Sequence, residues 1–104
     1  MKKYRIEVSE QARVDILGLQ NVIINEYKSY RTAISYVEGL EKTIYGLQTT
    51  AESFQLQYYS YFRKYGLFVY RINYKKMAII YTVHNDLVII QRVIPASLIT
   101  NRSL

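Results

Sequence analysis

The chain has 104 residues, half of them hydrophobic and 21% charged, with 14 Lys and Arg against 8 Asp and Glu and a formal net charge of +6. That size and balance describe one globular domain over 1–104 with a single modest core, and exclude a disordered chain. With no cysteine present, a disulfide framework, thiolate catalysis and a cysteine-ligated metal centre are excluded as well.

Behind Met1-Lys2-Lys3-Tyr4 there is no apolar run, so no signal peptide is expected. No stretch approaches the roughly 20 apolar residues a membrane span requires, and a cytoplasmic location away from membranes is the expectation. Residues 3–8 alternate, with Tyr4, Ile6 and Val8 between charged neighbours, and predict a half-buried strand. Ser9 then offers a helix N-cap, with Glu10 in the first turn where the helix dipole favours an acid. Ala12, Ile16, Leu19, Ile23 and Tyr27 mark one face of the helix that follows, with Gly18 a weak point inside it. A second helix is predicted from Ser29 or Tyr30, with Ala33, Val37, Leu40, Ile44 and Leu47 on one side, fading at Gly46 and Thr49-Thr50. The tight polar turn between the two makes them a helical hairpin.

Residues 50–62 read as either a loop or a short strand around Phe54–Tyr58. After residue 62 the period changes to 2. Leu67–Ile72, Met77–His84 and Leu87–Val93 are rich in Val, Ile, Tyr and Phe, and predict three strands. Asn73-Tyr74-Lys75-Lys76 and Asn85-Asp86 separate them, the latter a good two-residue hairpin turn. The expected fold is α+β, in the order β-α-α-β-β-β: a three-stranded antiparallel meander joined by the N-terminal strand as a fourth, with both helices on one sheet face. The opposite face is expected to be partly open and basic.

The charge supports a one-sided reading. Residues 1–52 carry seven bases and seven acids, whereas 53–104 carry Arg63, Lys64, Arg71, Lys75, Lys76, Arg92 and Arg102 against the single acid Asp86. Such a field attracts phosphate or acidic protein. Arg71 and Arg92 lie within predicted strands, so they must face water or a partner. Arg63 and Lys64 precede Gly66 as either a plain charged loop or a phosphate clamp, and Lys75 and Lys76 sit at a hairpin tip where lysine also protects an edge. The 12 tyrosines, many between Tyr58 and Tyr81, either fill the core or form a stacking surface for bases. His84, the single histidine, has no second strong ligand at metal-binding spacing, so no metal or other cofactor is expected. There is no glycine-rich loop, no Ser-His-Asp set and no paired carboxylate in the second half, which removes kinase, hydrolase and glycosidase readings.

The chain resembles the RelE/ParE superfamily of bacterial toxin–antitoxin modules over nearly its whole length. The likeness rests on Tyr4–Ala12, the helical hairpin, Arg63-Lys64-Tyr65-Gly66 leading into Tyr70-Arg71-Ile72, and then Ala78–Val83, Asn85-Asp86 and Leu87–Val93. It implies a small basic toxin neutralised by an acidic antitoxin. RelE-like members of the superfamily cleave mRNA on the ribosome, and ParE-like members poison DNA gyrase; the branch stays open. In the nuclease branch basic side chains on the sheet hold the scissile phosphate, and Arg71 matches that position. Where the pattern has a further arginine this chain reads Met77-Ala78, and where it has a terminal histidine or arginine it reads Ile94-Pro95-Ala96-Ser97-Leu98. Ribonuclease chemistry needs a base and an acid, so a nuclease here would recruit Tyr81, Lys75, Lys76 or His84. The expected catalytic pair is Arg71 and Tyr81. Arg63, Lys64, Lys75, Lys76 and Arg92 are expected to bind the target. A plain nucleic-acid-binding module and a toxin that has kept only its antitoxin grip are the alternatives.

Overall fold

The computed structural model describes residues 3–99; Lys2 and Arg102 of the charge count lie outside them. Its elements run β1 (Arg5–Val8), α1 (Glu10–Tyr27), α2 (Tyr30–Thr50), β2 (Val69–Tyr74), β3 (Met77–His84) and β4 (Leu87–Pro95), with short 3₁₀ turns at Ala51–Ser53, Ser60–Tyr65 and Ala96–Leu98. The helices begin at the predicted serines. Ser9 Oγ accepts from Ala12 N–H at 3.1 Å and donates to the Gln91 carbonyl at 3.0 Å, so one hydroxyl caps α1 and fastens it to β4. Ser29 Oγ accepts from Thr32 N–H at 3.2 Å. Between the helices Lys28 takes a left-handed conformation (φ 53°, ψ 35°) and its N–H closes on the Ile24 carbonyl, a position where glycine is the usual residue.

The strand order is β1-β4-β3-β2. The meander β2-β3-β4 is antiparallel, as expected, but β1 pairs parallel with β4, so the sheet is mixed rather than antiparallel throughout. The helical hairpin explains this: it carries the chain across the sheet to the far edge, and the meander returns to β1 with β4 running in the same direction. The first hairpin is also tighter than expected. Asn73 and Tyr74 pair with Ala78 and Met77, leaving only Lys75-Lys76 in the turn, and β2 starts at Val69. Lys75 and Asn85 open their two-residue turns with φ of 53° and 58°, a conformation asparagine tolerates and lysine adopts at some cost. A β-bulge sets Gln91 as an extra residue in β4, between the Tyr81↔Ile90 and Ile80↔Arg92 pairs.

Alternation sorts the strands onto two faces. Tyr70, Ile79, Tyr81, Val88, Ile90 and Val93 form the main core with Ala12, Leu40, Ile44 and Leu47 of the helices. Of the two readings of Phe54–Tyr58 the structure has the loop, with 3₁₀ turns before and after it. Leu56 makes a single bridge to Tyr70, Gln57 N–H donates to the Val69 carbonyl at 2.8 Å, and the chain then folds back under the sheet as Ser60–Tyr65. Phe62, 1% exposed, packs there on Val69, Ala78 and Ile80, flanked by Tyr61 and Tyr65. The second face is therefore partly covered by an aromatic turn, because Val69, Ala78 and Ile80 form an apolar strip that water would otherwise touch. Removing the Phe62 ring costs about 3–5 kcal/mol.

Candidate target-binding face

Arg71 and Arg92 are brought into one row. Each pairs with Ile80, from β2 and from β4 respectively, so both project from the face opposite the helices. Their environments differ. Arg71 Nε donates to Asn73 Oδ1 at 3.0 Å on the same strand face and makes no ion pair among the described residues, so its charge faces solvent. Arg92 is committed elsewhere: Nε and Nη2 donate to the two carboxylate oxygens of Asp15 in α1 at 2.7 and 3.0 Å, in a bidentate clamp. Asp15 also accepts the Val93 N–H at 2.9 Å, at the point where β1 has ended and β4 would otherwise have an unpaired edge. The hydrogen bond to Asp15 is the largest cause holding the Arg92 guanidinium far above its ordinary pKa, with burial opposing it and Asp15's charge and Tyr65 adding to it. Arg92 thus pins helix to sheet, and its charge is largely spent within the fold.

The remaining predicted cations scatter around the sheet. Lys64 Nζ sits 4.5 Å over the Tyr61 ring and 5.4 Å from that of Tyr65, on the aromatic turn. Arg63 is exposed beside it, and its carbonyl accepts from Gly66 N–H at 3.1 Å. Gly66, at φ 124°, is in a conformation that favours glycine, so its place is explained by the turn. Lys75 lies 5.2 and 5.6 Å from the Tyr36 and Tyr74 rings on the helix side, away from Arg71, while Lys76 is exposed at the tip and its carbonyl accepts from Ala96 N–H.

Tyr81 does not join Arg71. Its side chain points to the helices, is fully buried, stacks on Tyr70 at 5.4 Å, and donates its hydroxyl to the Ala51 carbonyl at 2.7 Å. Burial, with the nearby Tyr70 and Tyr4 adding, pushes its pKa well above the ordinary value. A hydroxyl so held is a core bond rather than an acid or base for substrate. Of the other tyrosines, Tyr4 and Tyr70 join Tyr81 in the core, whereas Tyr27, Tyr30, Tyr45, Tyr58 and Tyr59 are exposed.

Two features escaped the sequence. The Asp15–Arg92 clamp joins residues 77 positions apart, and no local pattern announces it. The other is a polar cluster at the β3–β4 turn. Gln91 Nε2 donates to Thr82 Oγ1 at 3.0 Å, and Thr82 Oγ1 lies 2.9 Å from His84 Nε2. Nearby, the Tyr4 hydroxyl donates to Glu52, which, with burial second and Glu52's charge after it, pushes the Tyr4 pKa up to about 12. Among the described residues no group of three His, Cys, Asp or Glu lies together to hold a metal ion, and no helix is long and apolar enough to cross a membrane.

This architecture has a counterpart. A chain of the chromosomal ParDE toxin–antitoxin system from P. aeruginosa superposes with a TM-score of 0.74, covering 91% of this chain and 98% of that one at 12% identity. The two chains share a fold. No family model and no curated protein matches the sequence itself. The likeness therefore resides in the backbone and in the order of elements.

Proposed function

We propose that the protein is the toxin of a type II toxin–antitoxin module, acting in the cytoplasm and silenced by an acidic antitoxin. The observation that carries this is the fold shared with a ParDE chain over nearly the full length of both. The confinement of net positive charge to residues 53–104 supports an acidic partner. So does an apolar groove of about 430 Å³ between α1 and the end of β4, where Val14, Gly18, Val22, Pro95 and Leu98 leave hydrophobic surface for an amphipathic segment.

Of the two targets, gyrase poisoning is the better supported. Among the described residues, three of the side chains that could serve Arg71 do not join it: Tyr81 is on the other face, Arg92 is clamped by Asp15, and Lys75 is drawn to the helix side. Ribosome-dependent cleavage needs a proton acceptor and a proton donor at the phosphate. Purified protein is expected to inhibit supercoiling by gyrase and to accumulate cleaved DNA. In a cell-free translation reaction it is expected to leave a programmed message uncut, as mapped by primer extension. New ribosome-dependent cuts with unimpaired gyrase would reverse the choice of target. Inactivity in both assays, with no acidic protein binding the chain, would remove the toxin reading.

A further inference from the structure

The start of α2 and the β2–β3 turn meet on the helix side of the sheet, around a recess of about 320 Å³ lined by Arg31, Thr32, Ser35, Tyr36 and Lys75. Both approaches to it interleave tyrosine with base, as Tyr27-Lys28-Ser29-Tyr30-Arg31 and as Tyr74-Lys75-Lys76. We infer that this recess holds a backbone phosphate of a single-stranded nucleic acid. It is separate from the Arg71 face, and the inference does not rest on the toxin reading.

Charge without counter-charge is the first observation. Arg31 and Lys75 are exposed and come from different elements, and among the described residues neither makes an ion pair. No acid lines the recess. Glu38, one turn beyond Ser35, borders a different recess with Glu41 and Lys42, and Glu26 belongs to the last turn of α1. A guanidinium, an ammonium and the Ser35 hydroxyl are all donors, and phosphate oxygens accept from each of them.

The backbone supplies the second observation. Lys28 and Lys75 both hold a φ of 53°, and the other non-glycine residue with positive φ among those described is Asn85, which opens the neighbouring hairpin turn. Glycine and asparagine take that conformation more easily than lysine does. Lysine nevertheless stands at both turns beside the recess, where a charge is what it offers beyond asparagine. The Lys75 ammonium is also held in place, 5.2 and 5.6 Å from the Tyr36 and Tyr74 ring centres. Those rings meet edge to face at 5.1 Å, and Tyr74 packs so close to α2 that glycine at position 39 is what leaves room for its hydroxyl.

A carboxylate-rich peptide would suit the cations as well, so the tyrosines decide the ligand. Tyr30, next to Arg31, is 72% exposed, and Tyr27 before the turn is exposed too. A base joined to the bound phosphate stacks on such a ring, whereas an acidic peptide has no group to place there. Bases paired in a duplex are not free to do so, which selects a single strand.

¹H–¹⁵N spectra of the full chain, titrated with a short single-stranded oligonucleotide, with inorganic phosphate and with polyglutamate, test the assignment. Amide shifts at residues 31–36 and 74–76 are expected with the oligonucleotide, at lower concentration than with phosphate or polyglutamate. Lys75→Asn suits the turn and removes the charge. It is expected to weaken oligonucleotide binding about tenfold, equivalent to about 1.4 kcal/mol, without lowering stability in urea unfolding. Tyr30→Ala is expected to weaken the oligonucleotide and leave inorganic phosphate unchanged. Shifts confined to the Arg71 face would overturn the inference, as would full oligonucleotide affinity in Lys75→Asn. Tighter binding of polyglutamate would hand the recess to an acidic protein, and phosphate binding as tightly as the oligonucleotide would reduce it to a site for a free anion; either result refutes the nucleic-acid assignment.

Discussion

The Asp15 carboxylate makes three hydrogen bonds, two to Arg92 and one to the Val93 N–H, and its replacement by alanine removes all of them. Val93 is 2% exposed, so its N–H loses its acceptor in a place water reaches poorly. An unsatisfied buried donor costs about 1–3 kcal/mol, and breaking a buried ion pair by deleting one partner costs about 3–5 kcal/mol. The two figures overlap rather than add. Side-chain exposure is 10% for Asp15 and 28% for Arg92, so water recovers part of the arginine's loss. About 3 kcal/mol is the expected destabilisation of Asp15→Ala, which for a domain near 100 residues lowers Tm by about 12–24 °C. Asp15→Asn keeps an amide oxygen for Val93 but loses the charge, and about half that loss is expected. Urea unfolding at pH 7 followed by far-UV circular dichroism measures both, with an unchanged m-value as the sign that only native stability has moved. An Asp15→Ala variant within about 0.5 kcal/mol of the parent would refute the reasoning. So would equal losses for Asn and Ala, since the backbone bond would then contribute nothing.

Three other expectations follow from the same structure. Tyr4, with a pKa of about 12, and Tyr36, Tyr70 and Tyr81, all raised, bind their protons more tightly folded than unfolded. Their contribution is full below the unfolded value near 10 and is lost as pH rises through the folded values, so stability falls above about pH 10. Absorbance at 295 nm is expected to show a late group of tyrosines in native protein that merges with the rest in urea; a single native wave would contradict this. Gly18→Ala adds a Cβ in α1 that meets nothing within 4 Å, and is expected to raise stability by about 0.5–1 kcal/mol in the same urea assay. Arg71→Ala is expected to leave stability within about 0.5 kcal/mol while reducing growth inhibition, and Tyr81→Phe to cost about 1 kcal/mol while leaving inhibition intact. The opposite pattern in viable counts and melting would exchange the roles given to the two residues.

Much of the fold was legible because its signals are local. Ser9 and Ser29 cap where an oxygen must meet orphan N–H groups, and the change of period after residue 62 separates helices from strands. Asn85-Asp86 announces its own turn. What the sequence concealed depends on partners far along the chain. Nothing near Arg5–Val8 specifies a parallel neighbour, because that follows from where the helical hairpin sets the meander down. The Ser60–Tyr65 turn lacks a repeating period, and its place under the sheet is decided by Phe62 meeting Val69, Ala78 and Ile80. The site was half legible for the same reason. Alternation puts Arg71 on one face and, once β3 pairs with β2, Tyr81 on the other, but the bulge at Gln91 and the reach of Asp15 decide what Arg92 does. The recess of Arg31 and Lys75 joins the start of α2 to the β2–β3 turn, a distance along the chain that no motif spans.

The central claim, a toxin held by an acidic partner, is tested most directly by tightly regulated expression in a bacterial host, with viable counts taken after induction. Wild-type protein is expected to arrest growth. Arrest is expected to be relieved by co-expression of an acidic protein encoded beside it, which should co-purify with the chain. Undiminished viable counts from a strain shown to contain soluble, folded protein would contradict the account.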